Sequence, residues 1–139
     1  MSNVQERLRV LFCDHLAIAR GKYVTLQPGQ GGGARFCRGT FGVTYEKELI
    51  PVPGAMVMEG LPDMEAAYTA DDIRPGWQPF TKVAIGDLKA NDGTPLPMCG
   101  RSALKRAVAD WQAMGYDPMV GIELEAFAFQ IEPDGSLKP

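Results

Sequence analysis

The stretch MVGIELEAFAFQI, residues 119–131, alternates small and branched apolar side chains with a second, mixed set. Val120 and Leu124 fall on one side of this alternation, whereas Glu123 and Glu125 fall on the other. A period of two is typical of a β-strand, in which successive side chains point to opposite faces. The stretch therefore predicts a strand that carries two carboxylates on one face, about 7 Å apart along the chain.

Two interpretations of this carboxylate pair are open from the residues alone. The other side chains on the same face are glycine and phenylalanine, so no lysine or arginine offsets the repulsion between Glu123 and Glu125. Mg²⁺ or Mn²⁺ prefers carboxylate oxygen, and the pair could hold one such ion or contribute to two. The alternative is an edge strand whose glutamates face water, which is the commoner situation for strand glutamates.

A helix is predicted upstream of this strand, over residues 102–114. The apolar residues of the stretch repeat at i, i+3, i+4 and i+7, the spacing of one helix face. They are Leu104, Ala107, Val108 and Trp111. Ser102 is the expected N-cap, and Gly115 is the expected left-handed residue that ends the helix.

The N-terminal half reads as short strands separated by turns. Residues 10–13 predict a buried strand with Cys13 as a small core residue, and residues 22–25 predict a return strand after a turn at Arg20-Gly21. Further strands are expected at residues 41–45 and 82–85.

Glycine-rich and proline-rich stretches predict the turns and loops. Residues 27–33 (QPGQGGG) predict a mobile loop, and they lack the Lys-Ser/Thr of a phosphate-binding P-loop. Tight turns are expected at residues 91–93 and 133–135, and the sequence stops where a return strand would be expected after the second.

Composition excludes several classes of protein. With 139 residues, 45% apolar and 22% charged, the chain has the balance of a soluble globular protein of one domain, or of one domain and the start of another. A net charge of −3 leaves no basic stripe, so we expect neither nucleic acid nor an anionic membrane as the main partner. No apolar run approaches the roughly 20 residues of a membrane span, and the N-terminus lacks a signal core, so a cytoplasmic location is expected. The three cysteines lack a C-x-x-C pair, which argues against a disulfide framework or a zinc site.

The motifs, taken in order, resemble those of the glutamine synthetase superfamily. Residues 121–129 are similar to the family's E-x-E strand, E-P-E-F or E-L-E-F, which provides metal ligands. Residues 101–107 (RSALKRA) are similar to its R-x-x-L-K-R-A helix at the entry to the catalytic domain. Asp87-Leu88 and residues 92–95 (DGTP) are similar to the strand and D-G-x-P turn that close its N-terminal domain.

The resemblance continues to the start of the chain. Asp14 and the Arg20-Gly21-Lys22 run match the family's D-x-x-G-x-x-R-G-K hairpin, with Ala17 where glycine is common. Residues 62–64 (PDM) stand where the family has S-D-M. The matches extend over almost the full chain, and this order and spacing make the resemblance specific.

The resemblance implies an α+β chain. Residues 1–98 would form a β-grasp-like N-terminal domain, and residues 99–139 would supply the first helix and strand of the catalytic domain. The family forms γ-glutamyl phosphate from glutamate and ATP, and ammonia or an amine then displaces the phosphate. By the same resemblance, Glu125 would bind the metal nearer the glutamyl and γ-phosphate groups, and Glu123 would bind the metal that grips the ATP phosphates. Mg²⁺ or Mn²⁺ is the implied cofactor, ATP the co-substrate, and a ring-forming homo-oligomer the implied assembly.

Three features qualify what is implied. The family's D-G-S-S loop, whose aspartate helps activate ammonium, has no clear counterpart after Phe41, and residues 45–48 (YEKE) occupy that region, which favours a larger amine as acceptor. Leu124 in place of proline between the glutamates leans toward the γ-glutamylpolyamine type. The family's other metal ligands, glutamate-binding arginines and nucleotide contacts would lie beyond residue 139, so we expect this chain alone to be inactive and assign it no catalytic residue.

The alternative of a different class is a stand-alone, non-catalytic β-grasp-like interaction module whose glutamates face water. Several other residues are expected to be structural or solvated. His15 is expected on the surface of the hairpin, and Glu46 and Glu48 on a solvated face. Trp77 is expected either at a subunit interface or in the core.

Overall fold

The computed structural model describes residues 6–55 and 59–139, and it shows a mixed fold made mostly of strands with one α-helix in that part of the chain. The strands are β1 (Arg7–Cys13), β2 (Ala19–Thr25), β3 (Gly32–Cys37), β4 (Asp63–Tyr68), β5 (Arg74–Pro75), β6 (Thr81–Ile85), β7 (Asp87–Lys89), β8 (Gln130–Ile131) and β9 (Leu137–Lys138). The helix is α1 (Gly100–Ala113), and short 3₁₀ turns cover Arg38–Gly42 and Ala70–Asp72. None of the described helices is long and apolar enough to cross a membrane.

Two sheets enclose one core. The first has the strand order β2-β1-β6-β5, with β1 antiparallel to β2 and parallel to β6, and the second has the order β3-β4-β7. Alternate residues of β1 point inward, so Leu8, Val10 and Phe12 are buried. They join Met64 and Ala66 of β4 in the core. In both strands the buried residues are two positions apart, so that they lie on the same face of the strand.

The N-terminal hairpin is confirmed, but its turn lies earlier than expected. Arg20 and Gly21 are residues of β2, and the chain turns over residues 14–18 instead. The reason is the Asp14 carboxylate, which accepts hydrogen bonds from the backbone N–H groups of Leu16 and Ile18 at 2.9 and 3.0 Å and so closes a turn that Arg20-Gly21 does not need to make.

Gly86 lets one continuous stretch serve both sheets. Strand β6 belongs to the first sheet and β7 to the second, and the Gly86 N–H donates to the Leu11 carbonyl oxygen at 2.8 Å where the chain changes sheets. A Cβ atom at this position would lie 2.8 Å from the carbonyl carbon of Ala66. The crossing therefore requires a residue without a side chain.

The helix begins earlier than the sequence suggests. Its N-cap is Cys99, whose sulfur accepts from the Ser102 N–H at 3.4 Å, whereas Ser102 is buried within the first turn; the expectation of Ser102 as N-cap is wrong. Gly115 has a φ of 86°, which confirms the left-handed stop.

Several smaller expectations are corrected or confirmed. No strand covers residues 41–45, since Phe41 lies at the end of a 3₁₀ turn and the backbone beyond it makes only an isolated bridge between Val43 and Leu49. Cys13 is exposed and not a core residue, because it alternates with the buried Phe12. The strand at 82–85 is confirmed as part of β6. The turns at 91–93 and 133–135 are confirmed, and β9 is the return strand after the second.

Candidate functional site

The strand expected over residues 119–131 does not form as a whole. Residues 116–129 have no regular secondary structure, and only Gln130–Ile131 pairs, with Leu137–Lys138 of the terminal hairpin. A strand needs a hydrogen-bonded neighbour along its length, and the described part of the chain offers none beside residues 119–129. The predicted period of two is present in the sequence, but the sheet that would use it is absent here.

Both candidate metal ligands are exposed to solvent. Glu123 and Glu125 are exposed, and neither has an ion-pair partner among the described residues. Apolar neighbours share this exposure: Ile122 is 85% exposed and Leu124 is 93% exposed. Large apolar side chains are rarely left this bare unless another surface covers them. The segment therefore exposes both carboxylates and apolar side chains on its surface.

The donor chemistry of this pair fits a hard divalent cation, although the ligand set is small. Carboxylate oxygens suit Mg²⁺ or Mn²⁺, which usually keep several water or phosphate ligands. Within the described residues, no group of three histidine, cysteine or acidic side chains converges on one point. Glu123 and Glu125 could thus supply two ligands of a site whose remaining ligands come from elsewhere.

Helix α1 is tied to the sheets by charged contacts between two of the sequence motifs. The Arg101 guanidinium donates to Asp87 at 2.9 Å and lies 3.5 Å from Asp72, and the Lys105 ammonium also contacts Asp87. These side chains are partly exposed, so each pair contributes modestly to stability. Arg101 and Lys105 contact different oxygens of the Asp87 carboxylate, and these two contacts mainly fix the direction in which the helix leaves the sheets. These contacts therefore also fix where residues 116–129, which follow α1, begin.

The apolar stripe of α1 is not covered by the described part of the chain. Leu104 is 61% exposed and Trp111 is 49% exposed, while Trp111 packs edge-on against Tyr116 at 5.8 Å. The apolar spacing predicted the helix correctly, but the described part of the chain provides no surface against which this stripe packs. The stripe and the 119–129 segment both carry exposed apolar side chains.

Among the described residues, Asp14 is the buried charged residue. Its side chain is 0% exposed, and it pairs with the Arg20 guanidinium at 2.7 Å. Burial alone would raise the pKa of this carboxyl, but the hydrogen bonds from Arg20, Ile18 and Leu16 outweigh burial and lower the pKa below its usual value. The D-x-x-G-x-x-R-G-K resemblance placed Asp14 and Arg20 in one motif, but it did not reveal that they form a buried ion pair.

The loop of residues 44–48 lies against the same hairpin turn. The Tyr45 hydroxyl donates to the Leu16 carbonyl oxygen at 3.2 Å, and Glu46 and Glu48 are exposed, as expected of a solvated face. His15 is also exposed, with its ring 5.9 Å from that of Phe41. The loop of residues 44–48 and the turn of residues 14–18 therefore lie against each other.

Trp77 is 66% exposed, so it is not a core residue. The Arg9 guanidinium stacks over its ring at 4.9 Å from the centroid. Trp77 lies on the outer face of the first sheet, where the Arg9 contact leaves most of its ring accessible.

Comparisons with known proteins point to one family. No protein-family model matches the sequence. The chain is 33% identical over 101 residues to a γ-glutamylanilide synthase from Acinetobacter sp., covering 73% of this chain and 18% of that protein. It is 28% identical over 117 residues to type-1 glutamine synthetase 2 from Dictyostelium discoideum, covering 81% of this chain and 22% of that protein. A glutamine synthetase from Methanosarcina mazei is 35% identical over 63 residues, covering 43% of this chain and 14% of that protein.

The fold agrees with these sequence relatives. The crystal structure of a glutamine synthase homologue matches 82% of this chain and 28% of its own length, with a TM-score of 0.64 and 19% sequence identity. That likeness defines the fold as one found in glutamine synthase homologues. Together with the curated relatives, it shows that the chain is similar in sequence and in fold to members of the glutamine synthetase superfamily. The chain spans about a fifth of the length of the two curated relatives that it matches over most of its own length.

Proposed function

We propose that the chain is the N-terminal part of an ATP-dependent glutamate–ammonia or glutamate–amine ligase that acts through γ-glutamyl phosphate. In this proposal residues 1–98 are a β-grasp-like domain, and residues 99–139 begin the catalytic domain. The single observation that carries it is the pair Glu123 and Glu125, which are exposed and have no ion-pair partner in the described part of a chain whose relatives include glutamine synthetases.

The role proposed for the two glutamates follows from charge. Two carboxylates two residues apart repel each other, and a segment with such a pair and bare apolar neighbours gains from a partner that supplies cations and an apolar surface. A bound Mg²⁺ or Mn²⁺ would neutralise charge on the ATP phosphates during phosphoryl transfer. Glu125 would hold the ion on the glutamyl and γ-phosphate side, and Glu123 the ion on the ATP phosphates.

The same proposal accounts for the missing strand. Residues 119–129 keep the alternation of a strand, and strands contributed by the rest of a catalytic domain would supply its hydrogen-bond partners. Pairing would place Glu123 and Glu125 on one face and would cover Ile122 and Leu124 on the other. We expect the chain alone to have no ligase activity, since the remaining ligands and substrate contacts lie outside it.

The acceptor is proposed to be an amine larger than ammonia. Residues 45–48 replace the D-G-S-S loop that in the family serves ammonium, and Tyr45 is 73% exposed at the tip of that loop. One relative is by name a γ-glutamylanilide synthase, and an anilide is the amide of an aromatic amine. A bulky amine is therefore the acceptor class that this loop favours. The complete ligase is proposed to be a cytoplasmic, ring-forming homo-oligomer, without nucleic acid or membrane as partner.

An acceptor screen on the complete ligase tests this function. Phosphate release from ATP is measured with glutamate and Mg²⁺, while ammonium, aliphatic diamines and aromatic amines are compared as acceptors. We expect amine-dependent phosphate release that Glu125→Ala abolishes. Asp110→Asn, which removes an exposed carboxylate on α1, should retain more than half of the turnover, because exposed charges distant from a site contribute little. Turnover in Glu125→Ala equal to that of the unsubstituted enzyme would refute the proposal.

A further inference from the structure

A groove of about 320 Å³ lies on the outer face of the first sheet, opposite the core. Its floor is a row of apolar side chains across two paired strands, Leu11 of β1 and Val83 and Ile85 of β6. Trp77 forms a wall, and Arg74 and Arg101 stand at the rim. The volume is at the lower end of the roughly 300–1,000 Å³ that small-molecule sites occupy.

The wall of this groove is held in place by its neighbours. The Arg9 guanidinium stacks on Trp77 at 4.9 Å, and the adjacent Tyr23 ring lies under the Arg7 guanidinium at 4.8 Å. Such cation–π contacts orient a ring without burying it. Trp77 therefore presents an accessible aromatic surface above an apolar floor, which suits the body of a small apolar or aromatic molecule.

The two arginines at the rim differ in their hydrogen-bond and ion-pair partners. Arg101 is shared between Asp72 and Asp87, whereas Arg74 donates only to the backbone carbonyl oxygens of Asp71 and Ile73. Among the described residues, no carboxylate pairs with Arg74. Its guanidinium has five N–H donors, so most remain available to an acceptor.

Asp72 is the carboxylate that lines the same groove. Hydrogen bonds from the Thr69 N–H and hydroxyl, each 2.8 Å long, lower the pKa of Asp72, so this carboxyl is ionised at neutral pH. Its charge is balanced by Arg101, so among the residues that line the groove Arg74 is the arginine without a carboxylate partner in the described part of the chain.

We propose that this groove binds a small carboxylate with an apolar or aromatic body, the carboxylate at Arg74 and the body between Trp77 and the Leu11–Ile85 floor. A guanidinium suits a carboxylate because its N–H groups match the two oxygens. The proposal involves neither Glu123 nor Glu125, and it stands independently of the ligase function.

The test uses 3-phenylpropionate as the probe and 3-phenylpropanol as its uncharged counterpart. The chain has two tryptophans, so Trp111→Phe leaves Trp77 as the sole emitter, and its fluorescence is followed during titration. We expect saturable binding of the acid, about three- to tenfold tighter than that of the alcohol, as one partly exposed charged contact gives. Arg74→Ala should reduce the affinity for the acid to that for the alcohol, and Arg74→Lys should restore part of the difference.

Two controls make each outcome decisive. Arg106→Ala removes an equivalent charge on α1, away from the groove, and should leave the affinity for the acid unchanged within about twofold. Sedimentation at the titration concentrations shows whether copies of the chain cover the groove. Equal affinity for acid and alcohol, equal loss in Arg74→Ala and Arg106→Ala, no saturable binding, or self-association that abolishes binding would each overturn the proposal.

Discussion

Replacing Asp14 by asparagine removes a buried negative charge while the shape of the side chain stays the same. Asparagine keeps an oxygen to accept from the Leu16 and Ile18 N–H groups, but it loses the charged hydrogen bond of 2.7 Å with Arg20. A hydrogen bond to a charged group contributes about 1.5–3 kcal/mol. The Arg20 side chain is 33% exposed and regains some hydration, so we expect a loss of about 1–2 kcal/mol in the free energy of unfolding.

Chemical and thermal unfolding at several pH values measures this loss. For a chain of this length, such a loss lowers Tm by about 3–8 °C at neutral pH. Because the folded-state pKa of Asp14 lies below its unfolded value of about 3.9, the stabilisation is complete well above pH 4 and disappears as the pH falls through the folded-state pKa. The difference between wild type and Asp14→Asn should therefore shrink below about pH 4.

The matched control for this experiment is Asp110→Asn, which changes an exposed carboxylate on α1. Surface substitutions of this kind stay within about 0.5 kcal/mol. Equal stability of Asp14→Asn and wild type at pH 7, or a difference that persists unchanged at pH 3, would refute the role assigned to this ion pair.

Two further substitutions test the backbone of the fold. Ala17 has a φ of 59°, a conformation that glycine adopts without a Cβ clash. Ala17→Gly should therefore raise the free energy of unfolding, measured by urea titration, by about 0.5–1 kcal/mol. A destabilised variant would contradict this. Gly86→Ala should lower the free energy of unfolding by about 1–3 kcal/mol, because the new Cβ would lie 2.8 Å from Ala66, whereas Gly100→Ala, which meets nothing within 4 Å, should not destabilise; equal effects of the two would argue against the crowded crossing.

Local signals were sufficient where the chain supplies its own partners. The apolar run that ends at Cys13 marked β1, and the 3.6-residue spacing of Leu104 and Trp111 marked α1, because each pattern follows from geometry within one element. Gly115 and Gly135 were recognised as stops and turns because their positive φ values demand glycine. These elements needed no knowledge of distant contacts.

Sequence patterns failed where the outcome depends on one particular side-chain hydrogen bond or on the pairing of strands far apart in the chain. The turn after β1 depends on the Asp14 carboxylate reaching Leu16 and Ile18, and the N-cap of α1 depends on the Cys99 sulfur, which is a weak acceptor that capping preferences rank low. Strand β4 was not defined because proline and glycine on its N-terminal side obscured its alternation. The groove at Trp77 requires the parallel pairing of β1 with β6, which no local pattern shows.

The candidate site illustrates the same division. The alternation around Glu123 and Glu125 is a local property and is visible in the sequence, whereas strand formation requires neighbours that the described part of the chain lacks. The assignment of these residues to a metal rests on the family, to which the comparisons add support through glutamine synthetase relatives.

Divalent-cation binding by the complete ligase tests the metal assignment most directly. Free Mn²⁺ is quantified by electron paramagnetic resonance during a titration, first with the unsubstituted protein and then with Glu123→Gln, Glu125→Gln and the control Glu48→Gln. We expect each of the first two substitutions to weaken or remove a Mn²⁺ site per subunit, since a carboxylate ligand is lost, and Glu48→Gln to leave the titration unchanged. The same number of sites with the same affinities in all four proteins would contradict the account.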